Sequence, residues 1–269
     1  MNLCDYNTIR DLLARHGFHF SKSMGQNFLI DPEVPRRIAE ASGADAGCGV
    51  LEIGPGIGPL TAELAQRAGK VVAVELDRAL LPVLAETMAP YPNVEVVPGD
   101  VLKLDLTAIA AEKFQGLTPI VCANLPYNVT SPILEKLVES PCFTAFTVMI
   151  QREVAKRICA QPGTAEYGAF TLLCQYYAHC EVLFDVPPSC FLPAPKVTSS
   201  VLRMVPKAPP AEVDDEAHFF RVVRAAFAQR RKTLANSLSA SLGVASKAPG
   251  KSLVILRRHF LIIKLLCHC

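Results

Sequence analysis

The stretch Cys122-Ala-Asn-Leu-Pro-Tyr-Asn-Val-Thr-Ser131 ends a short apolar run with an amide, a proline and an aromatic ring. Asn and Pro are ordinary turn residues, so these letters alone fit equally well a strand that ends in a turn. They could also do chemistry. The Asn124 side-chain carbonyl and the Leu125 backbone carbonyl could accept the two N–H groups of an exocyclic amine. Pro126 would fix the turn, and Tyr127 would stack on a base.

Three earlier apolar runs also end in residues that could bind a ligand. The run Val50–Ile53 leads into a glycine turn at 54–58, where the backbone can come close to a ligand. Glu75 follows the second run, about 20 residues beyond the glycines, where a carboxylate can accept both hydroxyls of a ribose. Asp100 follows the third run and could accept the amine of an adenine. An isolated acid of this kind is usually solvated or caps a helix, so the prediction depends on the order of all these features.

The glycine turn lacks the features that bind phosphates. No lysine occupies the Walker position, and Pro59 stands where a dinucleotide fingerprint has glycine or alanine. A glycine turn, a ribose acid and an adenine acid therefore predict an adenosine ligand without phosphates, namely S-adenosylmethionine. Methyl transfer to an amine would be catalysed by orientation and electrostatics. No general base is expected, because the methylated amine can lose its proton to water.

The elements that must position these residues alternate along the chain. The apolar runs Val50–Ile53, Val71–Val74, Val94–Val97 and Ile120–Ala123 are separated by segments with helical spacing of apolar residues. Continuous apolar strands with intervening helices predict an α/β fold with a parallel sheet covered on both faces. Because ligands gather at the carboxyl ends of such strands, we expect the residues described above to meet there.

Composition limits the class of protein. A chain of 269 residues with 51% hydrophobic content can form one or two globular domains. The net charge of +2 is too small for general polyanion binding, so affinity for nucleic acid requires a local basic surface. The N-terminus does not read as a signal peptide, and charged residues interrupt the most apolar stretch, 252–269. These features predict a cytoplasmic protein that does not bind membranes.

The ten cysteines are scattered and form no C-x-x-C motif, which indicates reduced and mostly buried thiols. The terminal Cys267-His268-Cys269 has no obvious fourth ligand, so no metal site is predicted.

A proline-rich linker at 206–211 separates a first domain, 1–205, from a second, 212–269. Asp214 or Asp215 is expected to cap the first helix of the second domain. Helical spacing places four basic residues on one face, opposite the apolar residues Phe219, Phe220, Val223, Phe227 and Leu234. This basic stripe consists of Arg221, Arg224, Arg231 and Lys232. A basic stripe is usually a solvated face, but here it is interpreted as a phosphate-binding surface.

Nine ordered segments between about Phe20 and Gly243 resemble those of a known family. They are KSMGQNFLID (22–31), LEIGPGIGPLT (51–61), VVAVELD (71–77), GDVLKLD (99–105), NLPYNVTSPI (124–133), QREVAKRI (151–158), YGAFTLLCQYY (167–177), FLPAPKVTSSV (191–201) and RVVRAAFAQRRKTLANSL (221–238). The family is the ribosomal RNA adenine N6,N6-dimethyltransferases, KsgA type, which modify small-subunit ribosomal RNA.

The resemblance implies a Rossmann-like, seven-stranded methyltransferase domain that uses S-adenosylmethionine, followed by a small α-helical domain. It implies dimethylation of the N6 amine of adenosines, two of them adjacent, during ribosome assembly. The partner would be small-subunit ribosomal RNA or an immature small subunit, and the enzyme a monomer. Phe191 matches the aromatic that faces the target base opposite Tyr127, although a core Phe is the alternative. The positions that match cofactor contacts are Asn27, Leu29, Gly54, Gly56, Glu75, Asp100, Val101 and Asn124.

Several alternatives remain open at this point. A glutamine N5 methyltransferase shares the sheet and the amide-binding turn but gives no reason for the basic stripe. A non-catalytic RNA-binding assembly factor, and a large-subunit RNA methyltransferase that confers antibiotic resistance, are two others. Residues after about 245 depart from the family and become basic and apolar, which predicts a tail that is poorly ordered or packs differently.

Overall fold

The protein is described here from a computed structural model, which describes residues 1–18, 26–210, 213–229 and 232–242. Its described part is built around a seven-stranded sheet. The strands of this sheet are β2 (Cys48–Ile53), β3 (Lys70–Glu75), β4 (Val94–Pro98), β5 (Thr118–Asn124), β6 (Phe146–Gln151), β7 (Ala178–Val186) and β9 (Ser199–Pro206). They lie side by side in the order β4-β3-β2-β5-β6-β9-β7.

Strands β4, β3, β2, β5 and β6 run parallel, and β9 pairs antiparallel with β6. All six residues of β2 are buried, as expected for a strand covered on both faces. Each of the four predicted apolar runs lies within one of the strands β2 to β5. The predicted parallel α/β sheet is therefore confirmed, and the carboxyl ends of these strands share one edge.

Helices connect and cover the strands. On one face, α2 (Glu33–Ser42) and α3 (Pro59–Ala65) contribute to a hydrophobic cluster with β2, β3 and β5. Two short strands, β1 (Phe28–Leu29) and β8 (Phe191–Leu192), form a separate antiparallel pair. The helices of this part of the chain are α1 (Tyr6–Arg15), α2 (Glu33–Ser42), α3 (Pro59–Ala65), α4 (Leu81–Thr87), α5 (Leu106–Lys113), α6 (Thr130–Val138) and α7 (Arg152–Ile158).

The chain divides into two compact units. The first comprises Met1–Ala155 and His179–Pro206, and the second comprises Lys156–Ala178 and Lys207–Cys269. The chain last passes from the first unit to the second after Pro206, which lies at the predicted linker. The segment Lys156–Ala178 also belongs to the second unit, and a single boundary along the sequence does not capture this segment. The domain limits 1–205 and 212–269 remain a prediction.

In the second unit, α8 (Ala169–Tyr177), α9 (Glu216–Phe227) and α10 (Leu234–Leu242) follow in chain order. The Asp215 side chain accepts a hydrogen bond from the His218 N–H at 2.8 Å, so of the two candidate caps Asp215 is the one that caps α9. The first apolar residues of α9 are buried, as expected. They are Phe219, Phe220, Val222, Val223 and Ala225.

The prediction that one continuous helical face carries the whole basic stripe is wrong. Helix α9 ends at Phe227, and Leu234 begins a separate helix. Arg221 and Arg224 are exposed on α9, whereas Lys232 is exposed in the connection between the two helices. Arg231 lies outside the described residues. The spacing of α9 therefore cannot be extended beyond Phe227.

The eight cysteines within the described residues are free thiols, and five of them are buried, as predicted. None of the helices in the described ranges has the length and apolar character needed to cross a bilayer. The tail after about 245, including Cys267, His268 and Cys269, lies outside the described residues.

Candidate active site

A cavity of about 230 Å³ lies at the carboxyl ends of β2, β3, β4 and β5. It brings together residues from five separate segments of the chain, as expected for a parallel sheet. All of the predicted cofactor contacts line it, together with the whole Asn124–Tyr127 turn. These lining residues include Asn27, Leu29, Gly54, Gly56, Glu75, Asp100, Val101, Asn124, Leu125, Pro126 and Tyr127.

The glycine turn after β2 is tied to the neighbouring strand β3. The Gly54 N–H donates to the Val74 carbonyl at 2.9 Å, and the Gly56 N–H donates to Glu75 Oε2 at 3.3 Å. Gly56 has φ of 64°, a conformation that side-chain-bearing residues rarely adopt. A Cβ there would also approach the Phe28 ring at 3.3 Å. The backbone conformation therefore strongly favours glycine at this position, and a side chain would also crowd Phe28.

Glu75 is held in place from both sides. Its Oε1 accepts the Asp77 N–H at 2.8 Å, in addition to the bond from Gly56. The side chain is buried, and this burial raises the pKa of Glu75 above its usual range, although the two backbone donors act against the rise. The two donors orient the carboxylate, which still lines the cavity and can accept bonds from a ligand.

Glu52 is a second carboxyl group of the same cavity, and the sequence assigns it no role. It is only 1% exposed, and Oε2 has no hydrogen-bond partner in the structure. The Thr61 hydroxyl lies beside it, outside good hydrogen-bonding geometry. Burial, with a smaller contribution from the charge of Glu75, raises the pKa of Glu52 to about 8. Glu52 is thus mostly protonated at neutral pH, which avoids two adjacent buried negative charges.

Asp100 follows β4 and organises its own loop. Its Oδ1 accepts the Leu102 N–H at 3.0 Å, and its backbone carbonyl accepts the Lys103 N–H at 2.8 Å. The Gly99 N–H donates to the Glu75 carbonyl at 2.8 Å, which fixes this loop to the end of β3. The two acids predicted to bind ribose and adenine are therefore connected through the backbone.

The Asn124–Tyr127 turn begins where β5 ends. The Leu125 N–H donates to the Met149 carbonyl at 3.0 Å, which holds the turn against β6. The Pro126 carbonyl accepts the Thr130 hydroxyl at 2.9 Å, so the turn leads directly into α6. Among the described residues, none forms a hydrogen bond with the Asn124 side chain, which lines the cavity. Its amide is available to a ligand.

Tyr127 is fixed by a residue from a distant part of the chain. Its hydroxyl forms a hydrogen bond with Ser199 Oγ at 2.5 Å, and Ser199 is completely buried at the start of β9. Burial raises the pKa of Tyr127, so the phenol is neutral at physiological pH. The ring is therefore oriented at its polar end, and its remaining surface lines the cavity.

The structure does not bring Phe191 to the cavity. Phe191 pairs with Leu29 in the small sheet, is 2% exposed and belongs to a hydrophobic cluster. It is not among the described residues that line the cavity with Tyr127. In this conformation Phe191 is a core residue, which is the alternative that its sequence context left open. A role opposite the base stays a prediction.

The N-terminal segment closes one side of the site. Asn27 and Leu29 line the cavity, and the Gln26 side chain donates to Asp77 Oδ2 at 2.7 Å. Asp77 in turn supplies the N–H that binds Glu75. Gln26 is thus joined to Glu75 by a short chain of hydrogen bonds through Asp77.

The charges of the lining residues decide which ligand fits. Within the described residues, the lining contains the carboxyl groups of Glu75 and Asp100, the mostly protonated Glu52, and no Lys, Arg or His. An acidic lining repels phosphates and favours a cation. S-adenosylmethionine fits this set of residues, because it is a phosphate-free adenosine that carries a sulfonium and an ammonium group.

Three functional features were missed from the sequence. Glu52 is an ionisable residue within an otherwise apolar strand, and this contrast could have identified it from the sequence. Ser199 and Gln26 had no such signal, because their partners are 72 and 51 residues away.

Comparison with known proteins gives consistent results. The family described as ribosomal RNA adenine dimethylase matches residues 17–254. Ribosomal RNA small subunit methyltransferase A from Geobacillus thermodenitrificans is 52% identical over 232 residues, covering 85% of this chain and 79% of that protein. The protein of the same name from Bacillus mycoides is 50% identical over 239 residues, covering 88% and 82%.

Two solved structures are similar. A dimethyladenosine transferase from Plasmodium falciparum has a TM-score of 0.67 and 29% identity, covering 80% of this chain and 76% of that one. The 23S rRNA methyltransferase ErmE has a TM-score of 0.61 and 28% identity, covering 82% and 92%. Both likenesses confirm the predicted Rossmann-like methyltransferase fold. Since the family match spans most of the sequence and the relatives are half identical to it, the chain belongs to the ribosomal RNA adenine dimethylase family.

Proposed function

We propose that this protein uses S-adenosylmethionine to dimethylate the N6 amine of adenosines, two of them adjacent, in small-subunit ribosomal RNA. The observation that carries the proposal is the cavity in which Glu75, Asp100 and Asn124 lie at the ends of three parallel strands. The small subunit is favoured over the large one because the relatives named for it are about half identical to this chain. ErmE, which is named for 23S rRNA, is 28% identical.

In this proposal the acids hold the cofactor. The Glu75 carboxylate, oriented by the backbone of Gly56 and Asp77, accepts the ribose hydroxyls. Asp100 accepts the amine of the cofactor adenine, and Val101 lies beside it in the same cavity wall. When bound, S-adenosylmethionine supplies an activated methyl group on its sulfonium. Asn27 and Leu29 border the cavity from the N-terminal segment.

The Asn124–Tyr127 turn holds the target amine. The lone pair of an adenine N6 is delocalised into the ring and is a poor nucleophile. The Asn124 side-chain carbonyl and the Leu125 backbone carbonyl accept its two hydrogens, which draws the nitrogen toward tetrahedral geometry. Pro126 keeps the turn rigid, and the Tyr127 ring supports the base by stacking. The methylated amine then loses a proton to water.

The RNA is held by phosphate contacts with exposed cations. Arg221 and Arg224 on α9 and Lys232 beyond it are exposed and suit this role. Arg231, which lies outside the described residues, is assigned the same role on its sequence position alone. Such contacts supply affinity without reading sequence. The protein would act as a monomer in the cytoplasm, where its RNA substrate is assembled.

The test is transfer of labelled methyl groups from S-adenosylmethionine to unmethylated small ribosomal subunits. Large subunits, naked RNA and a release factor are assayed in parallel. We expect N6,N6-dimethyladenosine in small-subunit RNA. Label in large-subunit RNA or in the release factor, or no label in any substrate, would contradict the proposed function. The last result would favour an RNA-binding assembly factor that has no catalytic activity.

A further inference from the structure

Lys136 makes an unusual set of contacts for a lysine. It lies in the last turn of α6, is half-buried, and donates to the backbone carbonyls of Leu102 at 2.9 Å and Leu104 at 2.6 Å. No ion pair joins it to a carboxylate of the described residues. Hydrogen bonds from a charged donor are stronger than neutral ones, particularly where water is partly excluded. The ammonium group of Lys136 therefore binds the backbone of a single loop, residues 100–104.

That loop follows β4 and carries Asp100. It folds back on this residue, since Asp100 Oδ1 accepts the Leu102 N–H and the Asp100 carbonyl accepts the N–H groups of Lys103 and Leu104. The carbonyls of Leu102 and Leu104 are the ones that Lys136 binds. Asp100 thus forms hydrogen bonds within the loop, and Lys136 binds the loop from helix α6.

The other end of α6 is tied to the Asn124–Tyr127 turn. The Thr130 hydroxyl, in the first turn of the helix, donates to the Pro126 carbonyl at 2.9 Å. One nine-residue helix therefore bonds at its start to the turn that would hold the target amine, and near its end to the loop that would hold the cofactor adenine. The turn and the loop are therefore both anchored to the same helix.

We propose that Lys136 is a positioning residue that holds the 100–104 loop so that Asp100 recognises the exocyclic amine of the cofactor adenine. The proposal rests on the proposed function, because it assigns the cavity to an adenosine cofactor. Lys136 does not line the cavity, so it acts through the loop. Its removal lowers the ability to distinguish adenine from a base without that amine, more than it lowers affinity for the rest of the cofactor.

The test compares two ligands. S-adenosylhomocysteine carries adenine, and S-inosylhomocysteine carries a carbonyl in place of the exocyclic amine. Calorimetry with the wild-type protein should show a preference for the adenosyl ligand. In Lys136→Met, which keeps the alkyl chain but loses the charge, we expect this preference to fall about tenfold, the effect of hydrogen bonds to a charged group. Lys136→Arg retains the donors and should restore most of the preference.

Lys113→Met is the matched control. Lys113 ends α5, pairs with Glu95 at 2.7 Å and does not contact the loop, so the ligand preference should be unchanged. Methyl transfer with Lys136→Met should show a higher KM for S-adenosylmethionine with kcat nearly preserved at saturation. Thermal unfolding of each variant verifies that it is folded, and Lys136→Gln, which also loses the charge and should also lower the preference, carries the test if Lys136→Met does not fold.

Two results are distinguishable. If the wild type binds neither ligand and transfers no methyl group, the proposed function fails, and the role of Lys136 fails with it. If the wild type prefers the adenosyl ligand and transfers methyl groups, but Lys136→Met keeps the same preference or loses affinity for both ligands equally, only the role of Lys136 is overturned.

Discussion

The cavity at the strand ends and the exposed surface of α9 use charge in opposite ways. In the cavity, Glu75 is buried and its two oxygens are fixed by backbone N–H groups. On α9, Arg221 and Arg224 are exposed to solvent. A fixed and partly dehydrated charge gives orientation and is little screened by salt, whereas an exposed charge gives affinity that salt weakens. Under the proposed function, this comparison predicts that the first region provides chemistry and ligand specificity and the second provides RNA affinity.

The largest effect expected from this comparison is on turnover. Asn124→Ala removes the side-chain acceptor for the target amine and should lower kcat by about 10²-fold or more, as does loss of a positioned transition-state group in other enzymes. Affinity for RNA should change little, because the side chain contributes no charge. Single-turnover methyl transfer and filter binding measure the two quantities.

Asn124→Asp is the matched variant, since it keeps an acceptor oxygen of the same shape. It should retain more turnover than Asn124→Ala. If Asn124→Ala turns over at nearly the normal rate, or if both variants lose RNA affinity and turnover equally, Asn124 does not have the role proposed for it.

A second, smaller effect should appear in cofactor affinity and its dependence on pH. Glu75→Gln leaves one acceptor oxygen for two backbone donors and a ribose, so affinity for S-adenosylhomocysteine should fall about tenfold. In the wild type, affinity should fall as pH drops through the raised pKa of Glu75, because the protonated acid is a poorer acceptor. Glu52, with a pKa of about 8, is mostly protonated below neutral pH and adds little to the change.

Calorimetry at a series of pH values, starting in the usual pKa range of a glutamate and rising to neutral pH, measures this effect. Glu75→Gln should bind more weakly at the upper end and show a flatter pH profile. An equal pH dependence in wild type and variant would assign the titration to another group and remove Glu75 from the ribose site.

The cavity could be predicted from the sequence because parallel strands bring their carboxyl ends to one edge. Once the apolar runs are located, Glu75, Asp100 and Asn124 must lie near each other, whatever the details of packing. The partners that fix these residues could not be predicted. Ser199 and Lys136 contact the site through pairings 72 and 32 to 34 residues apart, and such pairings depend on tertiary packing.

The surface of the second unit was harder to predict. Helical spacing correctly places Phe219, Phe220 and Val223 in the core and Arg221 and Arg224 outside. It does not reveal that α9 ends at Phe227, since no proline or glycine marks that point. Phe191 shows the same limit, because an aromatic residue can serve a core or a ligand equally well and its neighbours along the chain do not distinguish the two.

The smallest effect is expected at α9, and it tests the second half of the comparison. Replacing Arg221 and Arg224 together by Gln removes two phosphate contacts, so the slope of log affinity against log salt should decrease in magnitude by about 1.4 for single-stranded RNA. Affinity at low salt should fall several-fold, and kcat at saturating RNA should be unchanged. Arg10→Gln removes an exposed arginine of α1 and should leave the slope as it is. A double variant whose salt dependence equals that of the wild type would show that this surface of α9 is solvated and does not bind RNA. The proposed difference in function between the cavity and α9 would then be wrong.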